Sequence, residues 1–271
     1  MTDDSSALGP RPSPVIDTTV PHSARIWNYW LGGKDNYPVD RAAGDQYRQV
    51  FPGIDDIARA QRYFLARAVR YLAGEAGIRQ FLDVGTGLPT VDNTHEVAQG
   101  VAPESRIVYV DNDPLVLVHA RALLTSTPEG ATSYIDADLR EPDKILKAAE
   151  ATLDLTRPTA LILMGVLGHM SDYEEARSIV RWLMDALPPG SHLAIADATS
   201  TSEAFEQAQD QYNEGGSVPY LLRAPEEIAR FFEGLELVEP GVVELSRWRP
   251  DPSPFDTAVP VDEVCGVARK P

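Results

Sequence analysis

Residues Phe81–Thr90, FLDVGTGLPT, put the strongest limit on what this chain can fold into. Phe81, Leu82 and Val84 predict a short buried strand with Asp83 inside it. Gly85-Thr86-Gly87 predict a tight turn, and the apolar periodicity that resumes downstream predicts a helix. Glycines let the backbone approach a ligand, and a helix start offers N–H groups without intrahelical partners. Together they make a nucleotide-cradling device. A second apolar strand, Ile107–Val110, runs into Asp111, which places an acid for ribose hydroxyls in a βαβ unit.

The same alternation continues. Asp113-Pro114 predicts a helix cap with proline at the first helical position. Thr132–Ile135 reads as a third strand closing on Asp136-Ala137-Asp138, and residues 142–153 as a helix. Ala160–Met164 is wholly apolar, as a buried parallel strand should be. Ser171 and Glu174 form a capping-box pattern for a helix through Leu187. Pro188-Pro189-Gly190 turns into the strand His192–Ala196, which ends at Asp197; Leu235–Val238 and Glu263–Ala268 are the final strands. The pattern predicts an α/β chain with a Rossmann-like, doubly wound, mostly parallel sheet of seven strands.

Upstream, Asp55–Ala73 carries apolar residues at helical spacing. Before it, in His22–Asp40, Ser23 predicts the cap of a short helix with Ile26, Trp27, Trp30 and Leu31 on one side, ended by Gly32-Gly33. This block reads either as a helical hairpin packing aromatics on the core or as a lid over the glycine-rich loop. Arg25, Asn28, Tyr29, Lys34, Asp35 and Asn36 are more binding-type groups than packing needs, which favours the lid. The expected organisation is a mobile tail at 1–20, a helical lid segment at 21–78 and a nucleotide-binding core at 79–271.

A formal net charge of -17 makes polyanions poor partners, so neither nucleic acid nor an anionic membrane is expected. No apolar run is long enough to span a bilayer, and the N-terminus lacks the features of a secretory signal. The single cysteine, Cys265, excludes an intrachain disulfide and fits a reducing cytoplasm.

From about residue 79 onward the order of these signals resembles a class I S-adenosylmethionine-dependent methyltransferase. Asp83-x-Gly85-x-Gly87 resembles the first motif of that fold, and LPPGSHLAIAD its Pro-Gly turn and fifth strand. The block HSARIWNYWLGGKDNYPVDR, with LDVGTGLPT and NTHEVAQ, is most similar to an actinobacterial group of methyltransferase-like proteins. The resemblance implies S-adenosylmethionine as cofactor, S-adenosylhomocysteine as product and a small-molecule acceptor. It implies a cofactor site of Asp83, Gly85, Gly87, Asp111 and Asp138, to which the reading of the residues themselves adds Asn28, Tyr29, Gly33, Thr86, Asn112, Leu139 and Met164. The residues support this independently: Asp111 can accept from both ribose hydroxyls, and Asp138 from an adenine amino group. Asp83 inside a strand needs a partner, either a ligand amine or the loop itself. One departure stands out: Pro89-Thr90 occupy the place of the usual third glycine, and proline has no N–H to offer there.

His169, just past the fourth strand, reads either as a general base at the active-site edge or as a satisfied loop histidine. His95-Glu96 begins HEVAQ, which lacks the second histidine of a zinc motif, so no metal is expected. A non-catalytic cofactor-binding or regulatory protein would share every adenosine-site residue. An NAD-dependent oxidoreductase is disfavoured by the missing third glycine and by Asp83.

Overall fold

The computed structural model of the chain describes residues 16–123, 125–215, 218–251 and 259–271. The tail expected to be mobile lies, for residues 1–15, outside them. The parallel strands are β1 (Gln80–Val84), β2 (Arg106–Asp111), β3 (Ala131–Asp136), β4 (Ala160–Met164) and β5 (His192–Ala198). Two dipeptide strands, β6 (Glu236–Leu237) and β7 (Val243–Glu244), both pair antiparallel with β8 (Glu263–Arg269), which itself pairs antiparallel with β5. The order is β3-β2-β1-β4-β5-β8-β6. These are the seven expected positions, with the outermost one divided between β6 and β7. Pro240 cannot donate to a ladder, and Gly241 turns the backbone with φ 88, so pairing breaks there.

Strand order reverses between β1 and β4, which opens a crevice at their carboxyl ends. Alternate residues of each strand feed opposite layers. Leu82, Val108 and Leu161 face one apolar cluster, built with Ile145 and Leu183 from helices α6 (Pro142–Ala149) and α7 (Tyr173–Asp185). Phe81, Ile107 and Ile162 face the other, with Phe64 and Val69 of α3 (Ile54–Gly74) and the buried Trp248. Each such side chain, fully buried, contributes about 1.5–3 kcal/mol.

A third cluster lies beside the sheet. Helices α1 (Ser23–Trp30) and α2 (Pro38–Val50) pack Ile26, Trp30 and Tyr47 against Ile57 of α3 and Phe205 of α8 (Glu203–Glu214). The Trp30 indole donates to the Gly44 carbonyl at 3.3 Å, and the Tyr47 hydroxyl to Gln209 at 3.0 Å. The remaining helices are α4 (Thr94–Val101), α5 (Pro114–Leu123) and α9 (Pro225–Ala229). Two caps differ from expectation by one residue. His22, not Ser23, is the N-cap of α1. Asp172, not Ser171, caps α7, because its carboxylate reaches two amides, those of Glu174 and Glu175.

Candidate active site

The carboxyl ends of β1, β2, β4 and β5 and the helices α1, α3 and α8 enclose a cavity of about 370 Å³. Of the twelve residues expected to hold the cofactor, all but Tyr29 and Gly33 line it, and so does His169; Arg25, Lys34, Asp35 and Asn36 of the N-terminal block do not.

Past β1 the chain turns through Gly85 (φ 75) and Gly87 (φ 65), in the left-handed region that favours glycine. A Cβ on Gly85 would stand 2.4 Å from Val166 Cγ2, so backbone from β1 and from the loop after β4 meet closely. Gly85→Ala is therefore expected to lower stability by about 2 kcal/mol through strain and displacement of Val166, measured by chemical denaturation. A stability equal to the parent would show that the loop tolerates a different path. The chain then does not enter a helix at once. Leu88 buries itself against Leu115 and Val116, and α4 begins only at Thr94. Asn93 ties the intervening turn, accepting from the Thr90 amide at 3.0 Å and donating to the Thr90 carbonyl at 2.7 Å. Arg62 of α3 clamps it by donating to Val91 and Asn93. The missing third glycine is thus explained: no close helix–strand approach occurs at Pro89.

Asp83 is buried at the end of β1 and accepts from the Thr94 hydroxyl at 2.6 Å. Burial pushes its carboxyl up to about 6, against the pull of Thr94 and the Arg62 guanidinium. Asp111, at the end of β2, accepts from the Gly87 amide at 2.8 Å and the Asp113 amide at 2.9 Å. Each oxygen keeps a second lone pair for a ligand. Burial raises this carboxyl too, and the two amides counter it. Asp138, past β3, accepts from Asn112 Nδ2 at 3.1 Å and from the Arg140 amide at 2.9 Å. Leu139 is buried beside it, and Met164 is half-buried at the end of β4.

His169 sits in a short 3-10 turn after β4. Its Nδ1 lies 2.9 Å from the Pro219 carbonyl, which can only accept, so Nδ1 carries the proton and Nε2 is left as the basic nitrogen. Its ring meets Tyr220 edge-on at 5.0 Å. Burial holds its pKa below the ordinary value, while the Pro219 carbonyl pulls the other way.

The N-terminal residues divide. Asn28 lines the cavity, and its Oδ1 accepts from the Asp35 amide and from Asn36, which fastens the Gly32-Gly33 turn. Gly33 lies behind this: a Cβ there would overlap the Asn28 amide at 2.3 Å, so its part is to admit Asn28. Tyr29 faces the other way, donating to Asp45 at 2.7 Å under the Arg48 guanidinium. Its helical position, one residue after Asn28, turns it about 100° off the cavity face. His95 is also elsewhere, buried against the Tyr109 hydroxyl.

Sequence reasoning missed several lining residues: Gln61 and Arg62 on α3, Glu263 on β8, and Gln209 on α8. Gln61 is a polar residue on the apolar face of a long helix, and Glu263 opens a strand that is apolar from Val264 to Ala268. Those were the available signals.

A family model described as S-adenosyl methyltransferase matches residues 10–271. The chain belongs to the S-adenosyl methyltransferase family. The methyltransferase is similar to a DUF574 family protein from Streptomyces avermitilis, at 47% identity over 95% of this chain and 100% of that one, with a TM-score of 0.90. It is similar also to a candidate methyltransferase from Thermobifida fusca, at 43% identity over 96% of this chain and 98% of that one, with a TM-score of 0.86. A magnesium protoporphyrin IX methyltransferase from Synechocystis, at 11% identity over 91% and 93% of the two chains and a TM-score of 0.53, shares the fold. No curated protein matches. The cofactor of this enzyme is S-adenosylmethionine and its product S-adenosylhomocysteine. Among the described residues no helix is long and apolar enough to cross a membrane.

Proposed function

We propose that the methyltransferase holds the adenosine of its cofactor across the ends of β1, β2 and β3 and methylates a small molecule held between α1, α3 and α8. The observation that carries this is the placement of Asp83, Asp111 and Asp138 around one cavity, with the Gly85–Gly87 turn between them. Asp111 accepts from the ribose hydroxyls, Asp138 faces the adenine amino group, and Leu139 and Met164 supply apolar walls. Asn112 orients Asp138. Asp83, with Thr94 behind it, faces the cationic amine of the methionine end. Gly85, Thr86 and Gly87 bring backbone alongside.

When bound, S-adenosylmethionine supplies an electrophilic methyl group on a sulfonium. The chain's part is to hold the acceptor in line with it and to exclude water. His169, neutral with Nε2 free, takes the proton from an acceptor hydroxyl as the methyl is transferred. Residues 21–78 serve as lid and outer wall, with Asn28 touching the cofactor and residues 79–271 forming the core. Tyr29 and Gly33 shape the lid from behind. The lid is fastened near the ribose site: His22 Nδ1 lies 3.1 Å, and Arg25 Nε 3.7 Å, from Asp113 Oδ2. The charge of -17 supports a small acceptor over a nucleic acid, and the single cysteine supports a cytoplasmic setting.

Asp111→Ala is expected to weaken S-adenosylhomocysteine binding by about 2 kcal/mol, roughly 30-fold, by calorimetry. Unchanged affinity would remove Asp111 from the site. Incubation of the wild-type enzyme with S-adenosylmethionine and a metabolite extract should yield S-adenosylhomocysteine above the level without extract. Its absence across varied extracts would count against the placement of an acceptor in this cavity.

A further inference from the structure

The acceptor half of the cavity is aromatic. Trp27, Trp30, Tyr47, Phe205, Tyr212 and Tyr220 contribute to its wall. Into this wall the fold sets one carboxyl group that has no cation. Glu263 begins β8, opposite Ala198 at the carboxyl end of β5, and is 1% exposed. Its Oε1 accepts from Gln61 Nε2 at 2.6 Å, but Oε2 is buried with no hydrogen-bond partner. Among the described residues no ion pair reaches it. The contrast with its neighbour is informative. Asp197, equally buried, is served by the Tyr220 hydroxyl and by Arg223, whose Nη1 lies 3.5 Å away. The fold therefore supplies a cation to one buried carboxyl and withholds it from the other, the one that lines the cavity.

An unsatisfied buried carboxyl oxygen is costly and is retained where something else completes it. Aromatic faces attract cations, and a carboxylate among them completes an ammonium site. We propose that the acceptor is an aromatic or apolar small molecule bearing an ammonium group, and that Glu263 anchors this group while the rings of α1, α2 and α8 enclose the rest. This rests on the reading of the cavity as cofactor and acceptor site. An ammonium has no lone pair to attack a methyl group, so it is the handle by which the acceptor is held, and methylation takes place at another atom of the molecule.

The groups that face Glu263 are Gln61 from α3, Asp197 from β5, Glu244 from β7, Tyr220 from the segment after α8, and Cys265 on its own strand. None brings positive charge. Burial pushes Glu263 up to about 8, with Asp197 and Glu244 adding to the rise and Gln61 opposing it. The empty site thus holds a protonated Glu263 at neutral pH. An arriving ammonium displaces that proton to solvent, and binding tightens as pH rises from 6 to 8.

The test uses the full chain saturated with S-adenosylhomocysteine and three probes of similar size: 3-phenylpropylamine, 3-phenylpropan-1-ol and butylbenzene. The amine is expected to bind at least tenfold more tightly than the alcohol at pH 8, and more weakly at pH 6. Calorimetry in buffers of different ionisation enthalpy should show proton release at pH 7. In Glu263→Gln the preference for the amine and its pH dependence should both disappear, with S-adenosylhomocysteine affinity unchanged. Equal binding of amine and alcohol, no proton release, or failure of all three probes to bind would overturn the proposal. Retention of the amine preference in Glu263→Gln would do the same. The wild-type measurements decide the matter even if the variant folds poorly. Binding of S-adenosylhomocysteine without amine preference refutes the ammonium site alone, whereas loss of S-adenosylhomocysteine binding in the wild type would bring down the underlying reading as well.

Discussion

Replacing His169 with asparagine is expected to lower turnover by about a hundredfold while leaving S-adenosylhomocysteine affinity within about twofold. Asparagine keeps an N–H that can reach the Pro219 carbonyl, so the turn after β4 should hold its shape. It has no nitrogen that can take a proton. The pH profile separates a base from a brace. Burial sets the His169 pKa below its ordinary value, so the neutral, proton-accepting form prevails at neutral pH. Wild-type kcat should rise with pH on the acid side and level off by about pH 7. The asparagine variant should lack that acid limb. A variant with full activity across pH, measured as S-adenosylhomocysteine released, would leave His169 only its contacts with Pro219 and Tyr220.

The second large effect concerns stability. Glu263 keeps its proton up to about pH 8 in the folded chain, against an ordinary value of 4.5. Between those values the folded state holds a proton that the unfolded state has released. Stability therefore falls as pH rises across this window, and the whole cost is present above it. Glu263→Gln cannot ionise. Its advantage over the wild type should grow from pH 5 to pH 9 by on the order of 4 kcal/mol, read from urea denaturation of the cofactor-free protein. Asp83 is shifted the same way in both proteins and cancels in the difference, whereas the repulsion between Asp197 and Glu263 disappears with the Glu263 charge and is part of the gap. A gap that does not change between pH 5 and pH 9 would mean that Glu263 reaches solvent or a cation when charged.

The parts legible in the sequence were those encoded locally. Strand periods, the glycines of the first turn and the acids at strand ends lie within a few residues of one another, and the resemblance to the methyltransferases ran along the same residues. Asp83, Asp111 and Asp138, which line the cavity, could be singled out because each stands at or just past the end of a recognisable strand. Gln61 and Glu263 were not, because they meet only in three dimensions, 202 positions apart. Local pattern says nothing about such a pair beyond marking each as a polar residue among apolar ones. Tyr29 was misplaced for a related reason: the composition of α1 showed what could bind, but only packing against α2 and α3 decides which helical face looks into the cavity. The Pro89 departure was visible and could not be interpreted until Leu88 and Asn93 showed the detour it permits.

The position of β8 has a consequence for the order in which the molecule is made. This strand is seated inside the sheet, between β5 and the β6–β7 edge, and it is contributed by residues 263–269. During synthesis β1 to β5 can pair as they emerge, but β5 waits for a neighbour encoded some seventy positions later, and such long-range closure is slow. The strand that completes the sheet also carries Glu263, so a nascent chain can assemble its adenosine half before the acceptor half has its carboxyl group. Early binding of S-adenosylmethionine would favour the partly folded chain over competing states by mass action. Cells starved of the cofactor should then accumulate less of the enzyme, through loss of chains still waiting for their last strand.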